Sequence, residues 1–204
     1  VAATLDRGGK KLIVISTPQS GWFRCAGERG PGVAYFIGLA RWAASRDSDT
    51  SFLFVSTSGH ELGEIGMKAF VEERAPAPRH VLAWIHLGAG MATYTWEPAP
   101  NGAPGMRRTN QVDSNRYLMC SSELVPMLEP IYSDLPGLQP RKAVALGEFE
   151  ILIKKGYKTI GFAAGHQFHH TPADSPEVTS PEILEPVGQA LIRTIESIEE
   201  TTKD

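Results

Sequence analysis

Lys11-Leu12-Ile13-Val14-Ile15-Ser16 is an unbroken aliphatic and β-branched run with no polar alternation. A strand with one wet face alternates polar and apolar residues. An unbroken run belongs to a strand covered on both faces, as inside a helix-flanked sheet. Residues 1–5 before it, joined through Asp6-Arg7-Gly8-Gly9, read as its hairpin partner at the sheet edge. Downstream, residues 32–45 have helical spacing, with Val33, Phe36, Ile37, Ala40 and Ala44 on one side. Residues 52–56 read as a second buried strand. Residues 62–74 read as a helix on Ile65, Met67, Phe70 and Val71, and residues 81–87 as a third strand. This alternation predicts an α/β fold of three layers, a mixed but mainly parallel sheet between two helical layers.

The remainder is less regular. Residues 97–115 are rich in Pro, Gly and Asn and read as a long surface loop, a lid or rim. Residues 116–120 read as a short strand, 123–134 as a helix and 158–162 as another buried strand. Residues 181–200 form a strongly amphipathic terminal helix, with Ser180 as N-cap and Pro181 at its first position.

The chain has 204 residues, 42% hydrophobic and 21% charged, with a formal net charge of -3. That length suits one domain, 1–204, with a sizeable core. No basic stripe is present, which argues against nucleic acid as a partner. No apolar run is long enough for a membrane span. The two cysteines, Cys25 and Cys120, read as free thiols, and compartment and oligomeric state stay open.

Sites in open α/β sheets form where the strands end at their carboxyl edges. Five of the six histidines, all but His80, fall in or beside the loops at that predicted edge. The densest stretch is Phe168-His169-His170-Thr171-Pro172-Ala173-Asp174-Ser175-Pro176-Glu177. A second is Gly59-His60-Glu61-Leu62-Gly63. Imidazole is the commonest metal ligand and the usual acid–base group near neutral pH. Prolines fix such a loop so that an imidazole is aimed. A metal-dependent hydrolase is the first expectation.

The order of pieces resembles the zinc aminopeptidase and glutaminyl-peptide cyclotransferase superfamily. The anchors are Gly30-Pro31-Gly32-Val33-Ala34, Glu61-Leu62-Gly63 with Gly66 beyond, and His170-Thr171-Pro172-Ala173-Asp174-Ser175-Pro176. The resemblance covers nearly the whole chain. It implies an aminopeptidase-like fold and leaves room for further sequence before Val1.

The departures from that pattern are specific. The family's His-x-Asp is replaced by Thr17-Pro18-Gln19-Ser20, and the Asp of its Asn-Leu-Asp by Gly88. Both missing ligands serve the same one of two metals. The other metal's ligands have counterparts in Glu28, Glu61 and His170, a carboxylate and imidazole set suited to one zinc with a position left for water. The family's general base, the first Glu of Glu-Glu, becomes His60, which can do that work. His86 is a second acid–base candidate. Glu148 is placed near the family's Ser-Asp-His segment and could orient an imidazole at the substrate pocket. Trp22 and Phe168 could wall that pocket, and Arg24 and Arg29 suit a substrate carboxylate.

Each residue also has an ordinary reading. Glu61 could favour a helix start, Glu28 and Arg29 could be a surface ion pair, and His170 could serve only its loop. His86 could be a core histidine, and His166 and His169 bystanders. Three functions stay open: a hydrolase or cyclase with at most one metal acting on a peptide-like or amide substrate, a metal-free acid–base enzyme using His60, His86 and His170, and an inactive homologue that binds a ligand or partner. The cofactor expectation is accordingly one zinc ion or none.

Overall fold

The computed structural model describes residues 1–8, 12–141 and 145–201. Lys11, and Gly9 of the expected hairpin connection, lie outside the described residues. The chain opens with β1 (Ala2–Leu5) and β2 (Leu12–Pro18), then α1 (Gly30–Ser45), β3 (Ser51–Thr57), α2 (Ile65–Glu73) and β4 (Ala83–His86). A two-stranded arm follows, β5 (Tyr94–Pro98) and β6 (Met106–Val112). The rest is β7 (Arg116–Cys120), α3 (Val125–Tyr132), β8 (Pro140–Arg141), α4 (Glu148–Lys154), β9 (Thr159–Ala164) and α5 (Pro181–Glu200).

Seven strands form one sheet in the order β1-β3-β2-β4-β9-β7-β8. The four central strands β3, β2, β4 and β9 run parallel, while β1 is antiparallel to β3, β7 is antiparallel to β9, and β8 is parallel to β7. β2 lies in the interior and is covered on both sides. Ile13 and Ile15 join the core beneath α1, α3 and α5, and Val14 joins the opposite core beneath α2 and α4. Each such fully buried aliphatic side chain stabilises the fold by about 1.5–3 kcal/mol. The sheet, with helices on both faces, is the expected three-layer α/β/α arrangement.

Some local expectations change. Residues 1–5 do form an edge strand, but β1 pairs with β3, Ala2 opposite Val55, and not with β2. Residues 97–115 are largely the arm β5–β6, antiparallel with Glu97 opposite Arg107. Their alternation was masked by Pro and Gly. In α1 the inward face is Tyr35, Leu39 and Ala43, one step round from the expected face, and Ile37 is exposed. Ser180 stands at the N-cap of α5 without capping it; its hydroxyl bonds Tyr94 Oη at 2.7 Å. No described helix is long and apolar enough to cross a membrane.

The chain leaves β2 through α1 to reach β3 on one side, and returns through α2 to β4 on the other. The strand order therefore reverses between β2 and β4. This is the topological switch point, where an open α/β sheet leaves a crevice at its carboxyl edge.

Candidate functional site

That crevice holds a cleft of about 310 Å³ lined by residues that include Trp22, Glu28, Arg29, His60, Glu61, His169 and His170. Glu28 and Arg29 lie just before α1. Gly32, in its first turn, lets the helix press on the ends of β2 and β4, where a Cβ would meet Leu87 O and Thr17 Oγ1 at 2.9 Å. His60 and Glu61 sit on a single 3₁₀ turn after β3, bounded by Gly59 and Gly63 at φ 72° and 81°. Such values suit glycine.

The centre of the cleft is an ion triad. Arg29 Nη2 lies 2.8 Å from Glu28 Oε1 and 2.6 Å from Glu61 Oε1, and the side chains are 4%, 1% and 10% exposed. Arg29 Nε also donates to Ser20 O at 2.7 Å. One correction follows. The Glu28–Arg29 pair is buried and not on the surface. Arg29 is already engaged through Nη2 with two carboxylates and through Nε with a carbonyl, so its charge is largely balanced within the chain. Burial pushes the Glu61 carboxyl up, but the Arg29 hydrogen bond and charge outweigh it and leave its pKa below the ordinary value.

Glu61 is thus paired with Arg29. The carboxylate and imidazoles that do converge are Glu28, His169 and His170, whose ligand atoms lie within 4.8 Å of one another. His170 Nε2 is 3.2 Å from Glu28 Oε1. Glu28 Oε2 and His169 Nδ1 are buried and have no hydrogen-bond partner. Buried polar atoms are ordinarily satisfied, so a carboxylate oxygen and an imidazole nitrogen left without a protein partner at one cluster form a donor set that fits a cation. His169 stands beside His170 in this cluster. The backbone explains this: His170 has φ 59°. Neighbouring side chains on extended backbone point to opposite sides. The left-handed turn brings the two rings into a stack, 4.1 Å apart and 25° between planes.

His60 lies at the other side of the cleft. Its Nδ1 is 3.4 Å from Oε1 of Glu148, a fully buried carboxylate at the start of α4. Gly147 allows this approach, since a Cβ there would be 3.1 Å from His60 Cε1. Thr57 Oγ1 donates to Glu148 at 3.1 Å, and His86 Nδ1 lies 3.9 Å from Glu148 Oε2. His86 pairs with Ser16 Oγ at 3.0 Å, and Trp84 Nε1 donates to the same hydroxyl at 2.8 Å. Burial lowers the His86 pKa to about 4, against the pull of Glu148, so the ring is neutral near pH 7. The network Trp84–Ser16–His86–Glu148–His60 runs from the core to the cleft. Glu148 is too deep to touch substrate and contacts imidazoles instead; His86 is likewise buried, behind His60.

The remaining candidates separate. Trp22 lines the cleft and is half exposed. Phe168 packs edge-on against Trp96 of the arm, ring centres 4.9 Å apart. Arg24 is exposed on the surface. Burial, then the Glu28 charge, pushes the Cys25 thiol up, away from the thiolate form a nucleophile needs. Cys25 and Cys120 are both free.

The two missing ligand positions have a geometric cause in one case. A Cβ on Gly88 would lie 1.9 Å from Phe162 O of β9. At position 17, the threonine hydroxyl is committed to Leu87 O at 2.9 Å.

The fold is shared, at low identity, with solved bacterial aminopeptidases and a bacterial glutaminyl cyclase. A zinc aminopeptidase from Bacillus subtilis superposes with TM-score 0.75 at 17% identity, covering 96% of this chain and 49% of that one. An aminopeptidase from Aneurinibacillus sp. strain AM-1 gives 0.74 at 16% identity, covering 97% and 47%. Porphyromonas gingivalis glutaminyl cyclase gives 0.66 at 16% identity, covering 96% and 76%. The chain thus spans about half the length of these aminopeptidases. No family model and no curated protein sequence matches it.

Proposed function

We propose that this chain is a hydrolase or cyclase acting on a peptide-like or amide bond with at most one metal ion, held by Glu28, His169 and His170. The observation that carries the reading is the pair of orphaned buried atoms, Glu28 Oε2 and His169 Nδ1, beside His170 in a cleft at the sheet's switch point. Two imidazoles and a carboxylate form a catalytic zinc set that leaves a position open. When bound, zinc would supply Lewis acidity and lower the pKa of water.

The chain's own residues do the rest. Glu148 faces Nδ1 of His60, which leaves Nε2 as the atom that takes a proton in the cleft, in the manner of a carboxylate-oriented base. Arg29 stands as a fixed cation between Glu28 and Glu61, so a second metal is not needed to balance those carboxylates. Trp22 borders the substrate side of the cleft.

The test is metal analysis of protein purified without chelator, combined with turnover of fluorogenic aminoacyl amides. One equivalent of zinc, lost in Glu28→Gln and His169→Ala and kept in Glu61→Ala, is the expected pattern. A folded protein that takes up no zinc would sink the metal reading. A second reading, a non-catalytic homologue that binds a ligand or partner, is favoured by the same Arg29 triad, which neutralises the carboxylates without any metal. Metal-free protein without turnover would select it.

A further inference from the structure

The loop bearing Glu28 and the loop bearing His169 and His170 come from opposite ends of the chain, and one residue joins them. Asp174 receives three successive backbone N–H groups. Ala26 donates to its carbonyl at 3.3 Å, Gly27 to Oδ1 at 2.6 Å and Glu28 to Oδ2 at 3.0 Å. Successive amides converging on one carboxylate make an anion-holding concavity built within the chain. The Asp174 side chain is 1% exposed, and His166 Nε2 lies 3.4 Å from its Oδ2. Gly27 is moulded to this pair: a Cβ there would be 2.4 Å from Val178 Cγ2, 2.9 Å from Asp174 Oδ1 and 3.0 Å from His166 Cε1.

The other end of the Glu28 residue is fixed as well, since Gly90 N donates to Glu28 O at 2.9 Å. Both backbone polar groups of Glu28 are thus pinned, which fixes the point from which its side chain reaches Arg29 and His170. Asp174 N in turn donates to Thr171 O at 3.1 Å, and Thr171 N to Phe168 O at 3.0 Å. The same residue therefore ties down the turn that stacks His169 on His170.

We infer that Asp174, supported by His166, is a positioning residue that sets Glu28 against His169 and His170. This rests on the reading of those three residues as the metal-holding group. Outer-shell partners that aim a ligand typically change metal affinity by roughly 10- to 100-fold when removed.

The experiment compares the full chain with Asp174→Asn, which keeps the shape but puts an amide donor against one of the N–H groups. Three quantities are read: zinc affinity by calorimetry, hydrogen exchange at the Gly27 and Glu28 amides by NMR, and the urea midpoint. The expected result is zinc binding weakened about 10- to 100-fold at a concentration of urea where both proteins are folded, with faster exchange confined to those amides and to residues 168–171. Unchanged affinity and unchanged local exchange, with only a lower urea midpoint, would overturn the inference. If the parent chain takes up no zinc yet Asp174→Asn still frees those amides, the positioning stands and the metal reading fails. Should Asp174→Asn not fold, His166→Asn carries the same readouts with smaller changes in the same direction, and their absence overturns the inference.

Discussion

Arg29 Nη2 lies closer to Glu61 Oε1, at 2.6 Å, than to Glu28 Oε1 beside it in sequence, at 2.8 Å. One guanidinium nitrogen thus serves two carboxylates from different loops, all nearly out of solvent. A buried charge that loses its partner is strongly destabilising, because the desolvation cost stays and the attraction goes.

Arg29→Ala should therefore lower stability at pH 7 by about 3–5 kcal/mol, read from urea denaturation. Arg29→Lys should recover only part, since an ammonium lacks the planar fork. The Glu61 carboxyl is held below its ordinary value of 4.5. Its contribution is present above the unfolded carboxyl pKa and is lost as pH falls through the depressed folded value. The gap between parent and Arg29→Ala should narrow in acid. An equal gap at pH 7 and pH 3 would contradict the pairing.

His86 predicts a separate acid sensitivity at higher pH. Its folded pKa is about 4, against an ordinary 6.5. Below 6.5 the unfolded chain takes up a proton that the folded chain refuses, so stability falls as pH drops from 6.5 towards 4 and levels off beneath that. At about 1.4 kcal/mol per pKa unit the full loss is on the order of 3 kcal/mol. Denaturation curves from pH 7 to 4 should show this slope, and His86→Gln should flatten it.

If His60 is the base, His60→Ala should reduce amide turnover by roughly 10²–10⁴-fold and leave the metal content unchanged. Glu148→Gln should give a smaller loss, because the imidazole stays while the group facing its Nδ1 loses its charge. Loss of zinc in His60→Ala would place His60 among the ligands instead.

The layers were legible because β2 buries both faces and α5 has a wide apolar stripe; such patterns depend only on neighbours in sequence. The partner of β1 is not legible, because so short a strand carries no pairing signal and its antiparallel register to β3 is a tertiary choice. The carboxyl-edge loops of the site were legible from strand order. The grouping of Glu28 with His169 and His170 was not. Glu61 looked available because nothing in Glu28-Arg29 says that the arginine turns inward to bridge both acids. His169 looked idle because its place beside His170 depends on one left-handed residue, a conformation uncommon for residues other than glycine. Asp174 lay in view within the motif, but its three amide partners are about 150 positions away.

The contact between Gly88 and Phe162 O bears on how this cleft could change further. An aspartate at position 88 would have to place its Cβ where the carbonyl of β9 already stands, 1.9 Å from that oxygen. β4 and β9 pair just before this point, with His86 opposite Gly161. Backbone in a central parallel pair has little room to give way. Gly88→Asp should consequently yield misfolded protein, visible as a lost cooperative melt, and not an extra bound metal. Any side chain at position 88 would require the two central strands to part first, so the floor of the cleft at this point is set by backbone and not by a replaceable side chain.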